Sequence, residues 1–294
     1  MMLTVMTPVY NRGALLRRAY ESLCRQTDSD FEWLVVDDGS TDDTPAVLDS
    51  IMSAHSAPFP VRVMRTANGG KHRAVNLGAS EARGEWFTIL DSDDYLTDDA
   101  VAVMRRRLEG VGPAAGIAGL VALRVHPDGK VVGTPVGFEQ RDMSYAAYRV
   151  ELGIDGDRAE VVVTGLMRRY RFPEFPGEKF LREGPVWQQM GTDYLMRYTN
   201  DPIYVCDYQP DGLTAKVARL HEQNPMGASW ANARALELGG MSLGKRVRLV
   251  AQWSRWTRRI ADRSCVTPLP RNARWLLVFA PVVNMLRSLL KSDA

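Results

Sequence analysis

The N-terminal third of the chain alternates short apolar runs with amphipathic stretches, and this pattern restricts the fold more than any other feature. The apolar runs have the length of strands and lie at 3–7, 31–36, 61–64 and 86–90. Stretches with helical periodicity follow them at 13–26, 42–52, 71–82 and 98–108. This order predicts a doubly wound α/β fold, with a mainly parallel sheet and helices on both faces.

An acidic cluster directly follows the fourth predicted strand. The segment from Ile89 to Tyr95 reads Ile-Leu-Asp-Ser-Asp-Asp-Tyr, so three carboxylates crowd one strand end. A divalent cation such as Mg²⁺ or Mn²⁺, shared with the phosphates of a substrate, is their natural counter-ion. Alternate residues of an extended segment point the same way, so Asp91 and Asp93 can face one ligand. A solvated acidic turn or a helix N-cap is the alternative interpretation.

The first two predicted strands also end in polar residues. Ligands of parallel α/β sheets bind beyond the carboxyl ends of the strands, so Thr7, Asp37 and Asp91 are expected to converge on one cleft. Tyr10 can stack on a base, and a carboxylate after the second strand can accept a hydrogen bond from a pyrimidine imide or a ribose hydroxyl. Simple turn formation would explain the same residue types.

Two glycines and a lysine open the third predicted helix. Glycines at a helix N-terminus favour an anion, and Lys71 adds a positive charge. The stretch is not a Walker A loop, because Arg65 and Thr66 occupy the region where its first glycine would stand. This segment therefore adds to the indication of a phosphate-binding site.

The second half of the chain has a different organisation. A turn at 127–129 predicts a hairpin, 172–184 is loop-like, and 185–198 is predicted to be helical. From residue 228 onward the chain is mostly helical. We therefore expect a catalytic domain at 1–215, divided into a nucleotide-binding half (1–110) and an acceptor half (111–215), and a helical, basic extension at 216–294.

Charge is unevenly distributed along the chain. The net charge is only +2, but from Lys245 to Lys291 there are eleven Lys or Arg residues and one acid. A stripe of Leu249, Trp253, Trp256 and Ile260 and an apolar stretch at 275–290 fit a peripheral helix on an anionic membrane surface. Packing of these helices on the catalytic domain is the alternative.

Other features favour a cytoplasmic protein, with peripheral attachment to the inner face of the cell membrane through this tail. Three scattered cysteines suit a reducing compartment, and the N-terminus does not look like a signal peptide. No apolar run has the ~18–20 residues that cross a bilayer. Nothing in the tail resembles a nucleic-acid-reading module, so no nucleic-acid partner is expected.

Four stretches together resemble glycosyltransferase family 2, the inverting transferases with a GT-A fold. They read TPVYNRGALLRRAYESLCRQT, FEWLVVDDGSTDDT, NGGKHRAVNLGASEARGEW and ILDSDDYLTDDA, and they cover about the first 100 residues. The resemblance implies metal-dependent transfer of a sugar from a nucleotide-diphosphate donor, above all a UDP-sugar, to a hydroxyl of a saccharide or lipid-linked acceptor. The residues it implies for donor binding are Thr7, Tyr10, Asp37, Asp38, Lys71 and Asp91, and for the cation Asp93 with Asp91.

The resemblance also implies a catalytic base in the acceptor half. Family members carry an acidic residue at a helix start, about four residues before a Trp. Glu183 stands four residues before Trp187, and Glu178 is the second candidate. An exposed loop charge is the competing interpretation of either residue. The Gln-x-x-Arg-Trp signature of processive members is absent, which implies addition of one sugar or a few.

Two other classes of protein stay open. A nucleotidyltransferase that forms sugar nucleotides would carry a glycine-rich, basic loop after the first strand, whereas residues 9–13 contain a single glycine. A non-catalytic nucleotide-binding protein would bind the nucleotide without turnover.

Overall fold

The computed structural model describes residues 2–54, 57–209, 212 and 216–285. The strands in these ranges are β1 (Leu3–Val9), β2 (Phe31–Asp37), β3 (Val61–Arg65), β4 (Trp86–Ile89), β5 (Tyr95–Leu96), β6 (Ile117–Val125), β7 (Gln140–Met143), β8 (Arg158–Val163) and β9 (Leu195–Val205). The α-helices are α1 (Gly13–Cys24), α2 (Thr44–Ser53), α3 (Lys71–Glu81), α4 (Ala100–Arg107), α5 (Thr164–Arg169), α6 (Gly184–Asp193), α7 (Val217–Gln223), α8 (Pro225–Ala235) and α9 (Leu243–Thr257).

One mixed sheet organises the described residues, in the order β3-β2-β1-β4-β8-β6-β9-β5, with β7 paired to β9. The four N-terminal strands β1 to β4 pair with one another in parallel. Sequence neighbours such as Val5 and Met6 belong to opposite apolar clusters, because successive strand side chains point to opposite faces. Helices α1, α2 and α4 cover one face, and α3, α5, α6 and α8 cover the other. The predicted doubly wound α/β fold is confirmed.

The second half adds antiparallel pairings to this sheet. β8 lies between β4 and β6 and is antiparallel to both, whereas β6 and β9 are parallel. The prediction of a helix over 185–198 is wrong beyond Asp193, since β9 begins at Leu195. Pairing with β6, β7 and β5 along β9 outweighs local propensity there. In place of the hairpin predicted around 127–129, the structure has a turn and an isolated bridge between Val125 and Val131.

The C-terminal helices pack on one another around a small apolar core. Its buried members are Leu236, Val250, Leu269, Ala273 and Leu276. A helical segment, residues 271–285, runs along α9 and is a 3-10 helix from Arg271 to Phe279. The expected domain boundary near residue 215 lies outside the described residues, as does the end of the apolar stretch after residue 285.

The apolar stripe of α9 is part of the protein interior. Trp256 and Ile260 are 7% and 5% exposed, and Leu249 and Trp253 pack against the C-terminal core. The indole N–H of Trp253 donates to the carbonyl oxygen of Thr267 at 2.9 Å. The membrane interpretation is therefore wrong for this stripe, and the alternative of a packed helix is correct.

Candidate active site

The carboxyl ends of β1, β2 and β4 form one edge of the sheet. β1 lies between the other two strands, with Val9 paired to Asp37 and Met6 paired to Ile89. The peptide N–H of Asp38 donates to the carbonyl oxygen of Val9 at 2.9 Å. The three strand ends expected to converge are thus neighbours, and the acidic residues after β2 and β4 leave the sheet at the same edge.

A lysine links two carboxylates at this edge. Lys71 Nζ lies 2.5 Å from Asp91 Oδ1 and 2.6 Å from Glu183 Oε1. Burial opposes the lysine charge, but the two carboxylates more than compensate and hold the pKa of Lys71 well above its ordinary value. The structure therefore brings together a residue that opens α3, a residue after β4 and the residue that precedes α6.

The backbone around Lys71 requires a glycine before it. Gly70 has a φ of 96°, and a Cβ at this position would collide with the carbonyl oxygen of Lys179. The Lys179 ammonium also donates to Asn68 Oδ1 at 2.7 Å. The loop that carries both glutamates thus lies against the N-terminus of α3, and this contact brings Glu183 to Lys71.

A buried arginine completes the ionic environment of Asp91. Arg124 Nη1 lies 3.7 Å from Asp91 Oδ2 and 4.0 Å from Asp94 Oδ2, and its guanidinium lies 4.1 Å from the ring centre of Tyr204. Burial would raise the pKa of Asp91, but Lys71 and Arg124 hold it below its ordinary value. Sequence reasoning missed Arg124, although a charged residue within the apolar strand β6 was a signal for it.

The other two aspartates of the acidic cluster differ in their surroundings. Asp94 is buried and accepts hydrogen bonds from the Tyr204 hydroxyl and the peptide N–H of Asp207, both at 2.9 Å. Asp93 makes no ion pair within 4 Å with any described residue. Burial and the charge of Asp91 raise the pKa of Asp93. Asp94 is therefore part of the framework, whereas the Asp93 carboxylate forms no ion pair with the residues that the structure describes.

The donor set around Asp93 fits a cation that is bound together with a substrate. Within the described ranges, no group of three or more His, Cys, Asp or Glu residues could hold a metal ion alone. Mg²⁺ and related ions are usually held by one or two carboxylates together with substrate phosphates and water. Asp93 and Asp91 are the two carboxylates that could bind such an ion.

Glu178, the second base candidate, has a structural role. Its Oε1 and Oε2 accept the peptide N–H groups of Met226 and Gly227 at 2.6 and 2.7 Å, at the N-terminus of α8. The residue is 4% exposed. Burial raises the pKa of Glu178, while the two N–H donors oppose this shift. The structure does not bring Glu178 into contact with Lys71, so Glu183 alone of the two glutamates joins the cluster.

The aspartates after β2 are also engaged by the backbone. Asp38 Oδ1 and Oδ2 accept the peptide N–H groups of Gly69 and Gly70, each at 2.7 Å, and Asp37 Oδ1 accepts that of Ser40 at 2.9 Å. Burial raises the pKa of Asp38, and the two glycine N–H bonds oppose this shift. These carboxylates hold the loops at the sheet edge. They are not part of the cluster formed by Lys71, Asp91 and Glu183, which we call the Lys71 cluster.

Asp38 nevertheless lines a cleft beside α3. The cleft has a volume of about 430 Å³, and its other lining residues include Asn68, Arg73, Asn76 and Arg171. None of the carboxylates of the Lys71 cluster lines it. This cleft is therefore adjacent to the sheet edge but separate from the Lys71 cluster.

The residues at the end of β1 have two different roles. Thr7 is fully buried, and its Oγ1 accepts the indole N–H of Trp33 at 2.9 Å. Tyr10 is 46% exposed, so its ring is available for stacking. Between Tyr10 and α1, Asn11 has a φ of 52°, and its Oδ1 accepts the peptide N–H of Thr41 at 2.7 Å. Asn11 was not expected from the sequence, although asparagine is among the residues that tolerate this conformation.

A second polar cluster lies next to α6. Glu160 of β8 shares a small cavity with Tyr145, Arg149, Trp187 and Tyr198. Burial raises the pKa of Glu160 to about 7, against the pull of the nearby arginines, and the charge of Glu183 adds to the rise. The buried hydroxyl of Tyr198 has no hydrogen-bond partner within the described part of the chain. Sequence reasoning missed this cluster, although a glutamate directly before the apolar run 161–163 of β8 was a signal for it.

Comparisons with known proteins agree with this architecture. Residues 4–133 match the model of the glycosyl transferase family 2. The glycosyltransferase GlyG of Streptococcus pneumoniae is 35% identical over 109 residues, which are 37% of this chain and 35% of GlyG. The chondroitin synthase of Pasteurella multocida is 37% identical over 100 residues, 34% of this chain and 10% of that protein. The chain thus spans about a third of the first relative and a tenth of the second.

Solved structures show the same fold over most of the chain. S. aureus TarS 1–349 in complex with UDP-GlcNAc has a TM-score of 0.61 at 17% identity, covering 88% of this chain and 73% of that one. The mannosyltransferase PcManGT of Pyrobaculum calidifontis, in complex with GDP-Man and Mn²⁺, has a TM-score of 0.59 at 20% identity, covering 96% and 80%. The predicted GT-A fold is confirmed. Residues 4–133 thus match glycosyltransferase family 2, the family that the four stretches of sequence resemble.

Proposed function

We propose that the protein is a metal-dependent inverting glycosyltransferase that moves a sugar from a nucleotide-diphosphate donor to a hydroxyl of an acceptor. The observation that carries this proposal is the Lys71 ammonium, held between Asp91 and Glu183. It joins the half assigned to the donor (1–110) to the half assigned to the acceptor (111–215). A direct displacement requires a base for the acceptor hydroxyl and a positive charge for the leaving diphosphate, held close to one another.

Glu183 is the proposed general base. Its side chain is 24% exposed and one carboxylate oxygen contacts Lys71, which leaves the other for an acceptor hydroxyl. Glu183 would take the proton as the hydroxyl oxygen forms a bond to the anomeric carbon. The bond from that carbon to the diphosphate oxygen breaks on the opposite face, so the configuration inverts. General-base assistance of this kind typically contributes about 10²–10⁴ in rate.

The donor would lie along the sheet edge. We propose that Tyr10 stacks on the base of the nucleotide. The loops held by Thr7, Asp37 and Asp38 would contact the base or the ribose, and Asp91 would contact the sugar or the ribose. The complexes of TarS with UDP-GlcNAc and of PcManGT with GDP-Man support a nucleotide-sugar donor, and we favour a UDP-sugar.

Charge on the leaving diphosphate must be neutralised during transfer. Lys71 lies within the site, and the Mn²⁺ of the PcManGT complex supports a divalent cation, Mg²⁺ or Mn²⁺, at Asp93 with Asp91. When bound, the cation would stabilise the negative charge that grows on the diphosphate. Lys71 would add a fixed positive charge, an electrostatic contribution of a few kcal/mol in comparable sites.

A saccharide or lipid-linked acceptor would enter beside α6. Glu183, whose side chain is 24% exposed just before α6, is the group that the acceptor hydroxyl would reach there. The likeness to a chondroitin synthase supports a role in polysaccharide synthesis. The absence of the Gln-x-x-Arg-Trp signature supports the addition of one sugar or a few. We place the reaction in the cytoplasm, at the inner face of the cell membrane.

A panel of nucleotide sugars tests the proposal. The panel is screened with Mn²⁺ for thermal stabilisation and for release of the nucleotide diphosphate. The matching donor should raise the melting temperature by mass action, and the wild type should turn it over. Glu183→Gln should keep the stabilisation and lose transfer. Release of pyrophosphate from a nucleoside triphosphate and a sugar phosphate would instead identify a nucleotidyltransferase, and binding without turnover would identify a binding protein.

A further inference from the structure

The helical segment 271–285 has two apolar faces, and the described residues of the protein cover only one of them. Its inner face is formed by Ala273, Leu276 and Ala280, which are at most 1% exposed. Leu276 and Ala273 belong to the same apolar core as Val250 of α9. This face meets the ordinary requirement of an amphipathic helix on a globular protein.

Hydrogen bonds hold the segment in this orientation. Asn284 Nδ2 donates to the carbonyl oxygen of Ala251 at 3.0 Å, near the C-terminal end of the described segment. Arg246 Nη2 donates to the carbonyl oxygen of Asn272 at 2.8 Å, near its start. Both bonds connect the segment to α9, so the side that it turns away from the protein is defined.

The outer face consists of Trp275, Val278, Phe279 and Val282. These side chains are 58%, 70%, 45% and 55% exposed, respectively. The rings of Trp275 and Phe279 meet edge to face, with their centres 6.3 Å apart. Large apolar residues grouped on one exposed face mark an interaction surface, in contrast to the single exposed apolar residues found on any protein.

The charges around the outer face indicate its partner. Arg271 and Arg274 are exposed on the same segment, and no acidic residue occurs between Arg263 and Met285. Residues 245–285 contain nine Lys or Arg and a single acid. Apolar side chains with a Trp, flanked by cations, are the combination that binds the interface of an anionic bilayer. None of the described helices is long and apolar enough to span a membrane.

We propose that the outer face of 271–285 binds an anionic lipid bilayer, with the segment lying in the plane of the headgroups. Trp275 and its apolar neighbours would enter the boundary between headgroups and acyl chains, while Arg271 and Arg274 contact lipid phosphates. The inner face stays on α9, so binding requires no unfolding of the C-terminal core. The proposal does not depend on the transfer chemistry, because its evidence lies entirely in this segment.

Vesicle flotation of the full chain tests the proposal. Vesicles of phosphatidylcholine alone are compared with vesicles that contain equal parts of phosphatidylcholine and phosphatidylglycerol. The wild type should float with the anionic vesicles and bind the neutral ones more weakly. The double variant Trp275→Ser/Val278→Ser should weaken binding roughly tenfold or more, since two exposed apolar side chains are lost. Arg271→Gln/Arg274→Gln should weaken binding to the anionic vesicles only.

A matched control separates this surface from general apolar exposure. Leu152→Ser/Leu195→Ser removes two side chains that are 47% and 41% exposed elsewhere, and it should float like the wild type. All variants should melt like the wild type and should release nucleotide diphosphate without vesicles at an unchanged rate. Equal flotation of the wild type and Trp275→Ser/Val278→Ser would overturn the proposal. Dimerisation through this face would also overturn it. Light scattering would then show a dimer for the wild type and the other variants, and a monomer for Trp275→Ser/Val278→Ser.

Discussion

Lys71 and Glu183, which are 112 residues apart in sequence, form an ion pair with 2.6 Å between Nζ and Oε1. The lysine opens α3 in the nucleotide-binding half, and the glutamate precedes α6 in the acceptor half. Asp91 contacts the same ammonium at 2.5 Å. One cation thus connects the proposed base to the aspartate assigned to the donor, and removal of that cation should affect stability and transfer together.

We expect Lys71→Met to destabilise the fold and to impair transfer. Two carboxylates would share a partly buried site without their common cation, which should lower the free energy of unfolding by about 1–3 kcal/mol. The rate of transfer should fall by about 10²–10³, because a charge near the leaving diphosphate is lost. Urea unfolding and initial rates measure the two effects. Lys71→Arg keeps the charge and should recover most of the stability. If Lys71→Met unfolds like the wild type, the ion pairs do not exist in solution.

The two glutamates of the loop before α6 should respond in opposite ways. Glu178→Ala leaves the N–H groups of Met226 and Gly227 without an acceptor, so it should cost about 1–3 kcal/mol of stability. Well below the melting temperature its turnover should be near that of the wild type. Glu183→Gln should lose transfer and keep donor binding. Thermal melting and turnover of both variants provide the comparison, and the reverse pattern would assign the base to Glu178.

The response to metal should depend on Asp93. Removal of divalent ions with a chelator should stop transfer, and Mn²⁺ or Mg²⁺ should restore it. Asp93→Asn should need much more cation for half-maximal activity, because the variant loses a charged oxygen ligand. Asp98→Asn is the control, since Asp98 is exposed and pairs with Arg25 on the surface. Identical cation titrations for the Asp93 and Asp98 variants would remove Asp93 from the site.

Glu160 should make stability depend on pH. Burial raises the pKa of Glu160 to about 7, compared with an ordinary value of 4.5. The folded state therefore holds a proton that the unfolded state releases, and the free energy of unfolding should fall as pH rises between these two values. Glu160→Gln cannot ionise, so it should be more stable than the wild type by about 1–3 kcal/mol at about pH 8.

The gain from Glu160→Gln should shrink toward zero at about pH 3.5, where the carboxyl is protonated in both states. Urea unfolding across this range measures it. Glu151→Gln, which changes an exposed glutamate, should show no such trend. A gain that does not vary with pH would mean that ionisation of Glu160 is not its cause.

Much of the fold could be predicted because local patterns encode it. The apolar runs at β1, β2 and β4 are buried on both sides, and runs of this kind are recognisable without knowledge of their partners. The helix of 185–198 was mispredicted past Asp193 because pairing along β9 depends on strands that are far away in sequence. Likewise, the stripe of α9 and the outer face of 271–285 have similar apolar patterns, and only packing distinguishes them.

The sequence alone determined the alternation of strands and helices from β1 to β4, the acidic cluster after β4 and the lysine that opens α3, because these depend on residue type and on spacing along the chain. Only the tertiary structure decided that Glu183 contacts Lys71 while Glu178 caps α8, although the two lie five residues apart in one loop. It also placed Arg124 beside Asp91 and Glu160 beside Trp187. The reason is physical: the role of a polar side chain depends on the groups that burial and long-range packing bring to it, and these groups come from distant parts of the chain.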